Sequence, residues 1–176
     1  SAFATYYGRE LTLPAGVTTI KSSAFSGAIH LTELALPAGL KTIEASAFTG
    51  MNSIKTLTIP ASVETLREKA FTGFNGSYIT FEGTTPPQVL NVSGETSTNI
   101  GVRGGTSTNG HVIVLVPSSA LEAYRAAFND KTEAGDGVDP ALTDELVYST
   151  IDESDNDFVI IDTENNGKKL IAYAGD

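Results

Sequence analysis

The residues best suited to chemistry in this chain are few and scattered. It has two histidines, His30 and His111, 81 positions apart, and no cysteine. That excludes thiolate zinc sites, thiol nucleophiles and disulfide frameworks, and it leaves a histidine-based zinc site without enough nitrogen ligands. The densest carboxylates, Asp152, Glu153, Asp155 and Asp157, have the oxygens to hold Ca²⁺. They lack the EF-hand order with its central glycine, so they read as a solvated charged loop. Gly167-Lys168 ends like a phosphate-binding loop, but Asp162 stands where its first glycine belongs. No G-x-S-x-G occurs, and tail acids in abundance are no evidence for a glycosidase pair. The expectation is a protein without catalytic residues, metal or cofactor.

A second set of residues has the regularity the first lacks. Glu10 and Thr12, Glu33 and Ala35, Thr56 and Thr58, and Tyr78 and Thr80 each flank a Leu or Ile that would point inward from a short strand. In stacked coils they would line up on one β-face. The candidate ligand-binding set is therefore Glu10, Thr12, Glu33, Thr56, Thr58, Tyr78 and Thr80, with Tyr78, an amphipathic aromatic among hydroxyls, as the best single contact. Thr and Glu are also simply good solvent-facing strand residues.

What would position this set is a repeat. Leu13-Pro14, Leu36-Pro37 and Ile59-Pro60 fall 23 residues apart, as do Ala24-Phe25, Ala47-Phe48 and Ala70-Phe71, with Gly27, Gly50 and Gly73 on the same beat. A period in the 20s with an L-x-L strand core is the mark of a leucine-rich solenoid. Three full repeats cover 10–32, 33–55 and 56–78. In each, Pro ends the strand because it has no N–H for the ladder. A second apolar set then follows: Val17, Ile20, Ala24 and Phe25, and their counterparts one and two periods on. No coil buries enough by itself, so the coils must stack, with Phe25, Phe48 and Phe71 in one interior column. "SAFATYYGR" at the start reads as the end of an earlier turn.

Composition agrees with one domain and an appendage. Of 176 residues 40% are hydrophobic, and the net charge of −10 is placed unevenly. Residues 1–128 hold eight acids and eight Lys or Arg, while 129–176 hold thirteen acids against three Lys. A neutral body with an acidic tail argues against nucleic acid, which needs a basic stripe. No run reaches the length of a membrane span.

Beyond the repeats, a fourth strand, Ile79 to Phe81, arrives one residue early. Residues 91–110, with fifteen Gly, Ser, Thr or Asn in twenty, read as a mobile loop in preference to a polar hairpin. In "HVIVLVP" (111–117), Val112, Val114 and Val116 continue the inward row, and the outward Ile113 and Leu115 are apolar too, so both faces should be covered. "SSALEAYRAAF" suggests a capping box, Ser119 as N-cap with Glu122 at the third helical position, and Leu121, Tyr124 and Phe128 on one face. Strand and helix would plug the solenoid. Residues 129–157 read as an acidic linker with a short helix from Asp139-Pro140 to Val147, and 158–176 as a tail β-hairpin around Asn166-Gly167.

"LALPAGLKTIEASAFTG" and "LTIPASVETLREKAFTG" resemble the BspA-like leucine-rich repeats, with their I/L-P … V-x-x-I … A-F-x-G pattern, and "ITFEGTTPP" and "VIVLVPSSALEAYRAAF" resemble the way such arrays end. The resemblance covers residues 10–128. It implies a solenoid with a short parallel β-sheet on one face, irregular or short helical returns on the other, and a strand-plus-helix cap. It also implies an exported bacterial cell-surface or secreted protein that binds protein or glycan, including host extracellular matrix. Two departures stand out: Ala28, Met51 and Phe74 occupy the usual Cys or Asn position, and the polar insert stands where another A-F step is due. "NNGKKLIAYAGD" is similar to segments that introduce a new array, so the tail either folds back as a cap or precedes further repeats. The alternative role is a spacer or self-association domain that pairs through the tail hairpin.

Overall fold

The computed structural model describes residues 2–3, 6–74, 76–102, 112–128, 147–151, 158–163 and 167–173, with Ile113 and the last three strands by backbone course alone. The predicted L-x-L segments are β1 (Glu10–Thr12), β3 (Glu33–Ala35), β5 (Thr56–Ile59) and β7 (Tyr78–Phe81), lying side by side along one face. Glu10 pairs with Glu33, 23 residues on; Thr56 pairs with Tyr78, one residue short of the period, as the sequence indicates. Both pairings are parallel, and β3 and β5 are neighbours in separate sheets. Each strand sends its Leu or Ile inward, and Leu34, Leu57 and Ile79 are buried.

The other side of the coils departs from the expected irregular or helical returns. It is a second parallel sheet of four short strands, β2 (Thr19–Ile20), β4 (Thr42–Ile43), β6 (Thr65–Arg67) and β8 (Gln88–Leu90), in unbroken 23-residue register. Two or three residues per coil suffice, because neighbours in the same register complete the hydrogen bonds of each strand. The chain is thus a parallel β-solenoid of the leucine-rich type with about three regular turns. After each return strand comes a tight turn into the Ala-Phe step, and a second turn follows it. In that second turn Gly27, Gly50 and Gly73 adopt φ of +86°, +75° and +75°, as a Cβ-free position should.

The interior column forms. Phe25 stacks on Phe48 and Phe48 on Phe71, each with ring centroids 5.6 Å apart, and Phe3 extends the stack at 4.8 Å from Phe25. The Phe3 amide donates to the Ala24 carbonyl as the Phe25 amide does to Ala47, so residues 2–3 do take the place of a preceding coil's Ala-Phe step. Ala28, Met51 and Phe74, the departures from the family pattern, are buried.

The polar insert differs from the expected mobile loop. Its first part is not a loose loop but a hairpin: Thr96 bridges Leu90 in antiparallel sense, and Asn91 Oδ1 accepts from the Ser93 and Glu95 amides. Lys69 and Phe71 then donate to the Asn99 and Ile100 carbonyls, which stand where a further coil would present its own turn. Ile100 is buried where an alanine would be expected. Residues 103–110 lie outside the described residues.

β9 (Ile113–Pro117) pairs parallel with β7, and Val112, Val114, Val116 and the outward Leu115 are all buried, so this strand is covered on both faces. The capping box does not form. Ser118–Ala120 make a 3-10 turn after Pro117 with no side-chain cap, and α1 (Leu121–Phe128) begins only at Leu121. Pro117, with φ fixed near −55°, already sets the geometry of the first turn, so Ser119 falls inside that turn instead of before it. Glu122 pairs with Arg125 at 3.3 Å instead. The helical face holds as expected: Tyr124 and Phe128 are buried against Phe81, which meets the column edge-on at Phe71.

In the stretch read as an acidic linker, Val147–Ile151 form a strand, β10, paired parallel with β9; Val147, expected to end a helix, begins it. The rest of that helix, and Asp152, Glu153, Asp155 and Asp157, lie outside the described residues, as do His111 and Asn166. β11 (Phe158–Thr163) and β12 (Gly167–Tyr173) form the predicted antiparallel hairpin. It continues the sheet, whose order is β12-β11-β10-β9-β7-β5.

Candidate functional site

Parallel register aligns the outward strand residues within each sheet. One row runs Glu10 and Glu33 on β1 and β3, then Thr56 and Tyr78 on the neighbouring β5 and β7; the other runs Thr12 and Ala35, then Thr58, Thr80 and Leu115. Neighbouring members lie about one strand spacing apart, roughly 4.8 Å. Of the candidate residues, Glu10, Thr12, Glu33, Thr56 and Thr58 are exposed, as is Ala35, while Tyr78 and Thr80 are half-buried. The face therefore has a direction: acidic at the first two coils, hydroxylic at the third, and closed at β9, where Leu115 is buried. The open floor is the first three coils. Tyr78 marks its border.

The floor is stiffened from its edge. The Thr32 and Glu33 amides and the Thr32 hydroxyl all bond to the Arg9 carbonyl, and the Ser77 and Tyr78 amides to that of Lys55. The Tyr6 hydroxyl donates to the Glu10 carbonyl at 2.6 Å. Backbone groups at the heads of β3 and β7 are thus tied to the preceding coil, and a partner would meet a preformed surface there.

The opposite, return face carries charge that is already neutralised. Lys21 Nζ lies 2.8 Å from Glu44 Oε1, and Ser22 donates its amide and hydroxyl to Glu44 Oε2. The Lys21 ammonium and then the Ser22 amide hold the Glu44 carboxyl below its usual range. Lys41 and Glu64 repeat the pair one coil on. In both cases the partners occupy the same position of successive repeats, so the periodicity that stacks the coils also pairs their charges. His30 is exposed, with its ring 5.7 Å from that of Tyr7. Among the described residues no three His, Asp or Glu converge to hold a metal ion, and no helix is long and apolar enough to cross a membrane.

The pattern of BspA type leucine rich repeat regions matches residues 1–88 in six copies, half of the chain. A comparison with curated proteins returned no match. Among solved structures the chain is similar to the crystal structure of the pneumococcal vaccine antigen PcpA, at 20% identity and a TM-score of 0.41, over 70% of this chain and 34% of that one. The chain spans about a third of PcpA's length. The 23-residue beat, the phenylalanine column it builds and the matched repeats have one source: this chain belongs to the BspA type leucine-rich repeat family.

Proposed function

We propose that the chain is a non-catalytic binding module of an exported bacterial surface protein, and that its ligand, a protein or glycan of the host matrix or of another cell, lies on the β-face of coils one to three. The observation that carries this is the exposure of Glu10, Thr12, Glu33, Ala35, Thr56 and Thr58 on one face of three neighbouring strands, a surface formed by regular strands that a partner need not order on binding. Tyr78 and Thr80 form the border of that site. The experiment is a binding screen of the chain against immobilised matrix proteins and a glycan array, repeated with Thr56→Ala, Thr58→Ala and Tyr78→Ala. Loss of the captured ligand by these variants, with unchanged thermal unfolding, supports the reading; unchanged capture rejects the β-face.

A second reading is favoured by one feature of the sheet. β12 is its terminal strand, and an unpaired strand edge is a template for another chain. Self-association through the tail hairpin would make the module a spacer or assembly unit. Light scattering that shows a dimer for the chain, lost when residues 158–176 are removed, would favour this role over ligand binding.

A further inference from the structure

Beside the β-face runs an edge of different chemistry. The 23-residue period stacks Tyr7 over His30 and then Ser53, and Arg9 over Thr32 and then Lys55. Within 6–9, 29–32 and 52–55 there is no acid, while Arg9, His30 and Lys55 are the basic groups. Tyr7 is 78% exposed and Ile29 47%, with the Tyr7 ring tilted against His30. The Ser53 hydroxyl donates to the Ile29 carbonyl at 2.5 Å, which ties the turns of coils two and three.

The cations here differ from those on the return face. Lys21 and Lys41 have carboxylate partners one coil away; among the described residues Arg9 and Lys55 have none. They lie two coils apart, roughly 10 Å along the stack. That leaves two uncommitted cations at a spacing a disaccharide can reach, beside an exposed aromatic ring against which the face of a sugar can lie. Glu10 and Glu33 follow Arg9 and Thr32 directly on the β-face, so an anion is favoured on the outer side of the edge and repelled from the floor. The acidic surplus of the chain lies wholly in residues 129–176, and at physiological ionic strength its field decays over about 8 Å.

We propose that the edge formed by Tyr7, Arg9, His30 and Lys55 is a second binding surface, for a sulfated glycan. Arg9 and Lys55 bind its charges, and Tyr7, braced by His30, stacks on a ring between them. Calorimetric titration of the whole chain with heparin, with desulfated heparin as control, tests this. Heparin should bind at low ionic strength and weaken with salt, and desulfated heparin should bind less. Arg9→Gln and Lys55→Gln should each lower affinity by about tenfold, Tyr7→Ala should lower it further, and Lys55→Arg should retain it, all with unchanged thermal unfolding. No heparin binding, equal binding of the desulfated form, or binding unaffected by Arg9→Gln and Lys55→Gln overturns the proposal. A heparin affinity lowered as much by Thr56→Ala and Thr58→Ala overturns it too, because the site would then be the β-face.

Discussion

Ser23, Ser46 and Lys69 adopt φ of +55°, +55° and +61°, where a Cβ crowds the following carbonyl at a cost of roughly 1–2 kcal/mol. Nothing in their residue types announces this, since only the adjacent glycine row signals a turn. Asparagine visits that region more readily, so Lys69→Asn should raise stability by about 0.5–1 kcal/mol, read as a higher urea midpoint at unchanged slope. Gly101 is the opposite case. At φ +79° an added Cβ would fall 2.5 Å from Thr72 Oγ1 and 2.7 Å from Lys69 Cα, so Gly101→Ala should cost about 2–3 kcal/mol and unfasten the insert from the third coil. Tyr124 supplies a titration. Its buried hydroxyl donates to the Gly83 carbonyl at 2.9 Å, and burial pushes its pKa from 10 up to about 12. The folded chain keeps this proton where the unfolded chain loses it. The stabilisation is therefore whole below pH 10 and is lost as pH rises through about 12. Urea unfolding between pH 9 and 12 should fall less steeply for Tyr124→Phe, although at neutral pH that variant is weaker by about 1 kcal/mol for want of the hydrogen bond.

At the scale of elements, what repeats was legible and what occurs once was not. The strands β1, β3, β5 and β7, the phenylalanine column and the glycine turns each appear three times or more, so a coincidence of type becomes a pattern. The return strands escaped because two or three residues such as Thr42–Ile43 carry no alternation of their own; only neighbours in register make them a sheet. The insert escaped for a related reason. Fifteen small polar residues in twenty describe a composition, whereas the hairpin depends on one side chain, Asn91, bonding to the Ser93 and Glu95 amides. β10 had no repeat to compare with and sits among acids. The candidate face was legible as alternation, and its closure at Leu115 as an apolar residue at an outward position, although nothing local says what packs over β9. At the helix start Ser119 and Glu122 match a capping box in spacing alone, while Pro117 fixes the turn that precedes the helix. This has a direct test. A working cap would lose about 1 kcal/mol on Ser119→Ala, but here the change should stay within about 0.5 kcal/mol by chemical denaturation. Phe48→Ala, in the middle of the column, should cost about 3–5 kcal/mol.

Taken whole, the molecule is a stack whose two ends differ. At the first coil, β1 pairs with β3 alone among the described strands, and Phe3, Tyr6, Leu11 and Val17 are only partly buried against the core. At the fourth, Phe81, Tyr124 and Phe128 close the column in mutual ring contacts of 5.3–5.4 Å, and β9 and β10 extend the sheet beyond it. In a stack where each coil touches only its neighbours, stability is a sum of coil and interface contributions, so the opening energy at any place follows from the interfaces on either side. Coil one has one complete interface and should open first; coil three has two. Native-state hydrogen exchange should therefore find the amides of 10–20 less protected than those of 56–66. The same logic fixes what uncapping does. Phe128→Ala removes a ring from the closed end, so protection should fall first in β7 and β9 and next in β5, with β1 and β2 unchanged under conditions where the array stays folded. A fall of equal size in all coils would mean that the chain opens as a single cooperative unit. The exposed β-face and the Arg9–Lys55 edge would then share their stability with the helix at the far end, and a ligand bound at either would protect that helix as strongly as it protects coil one.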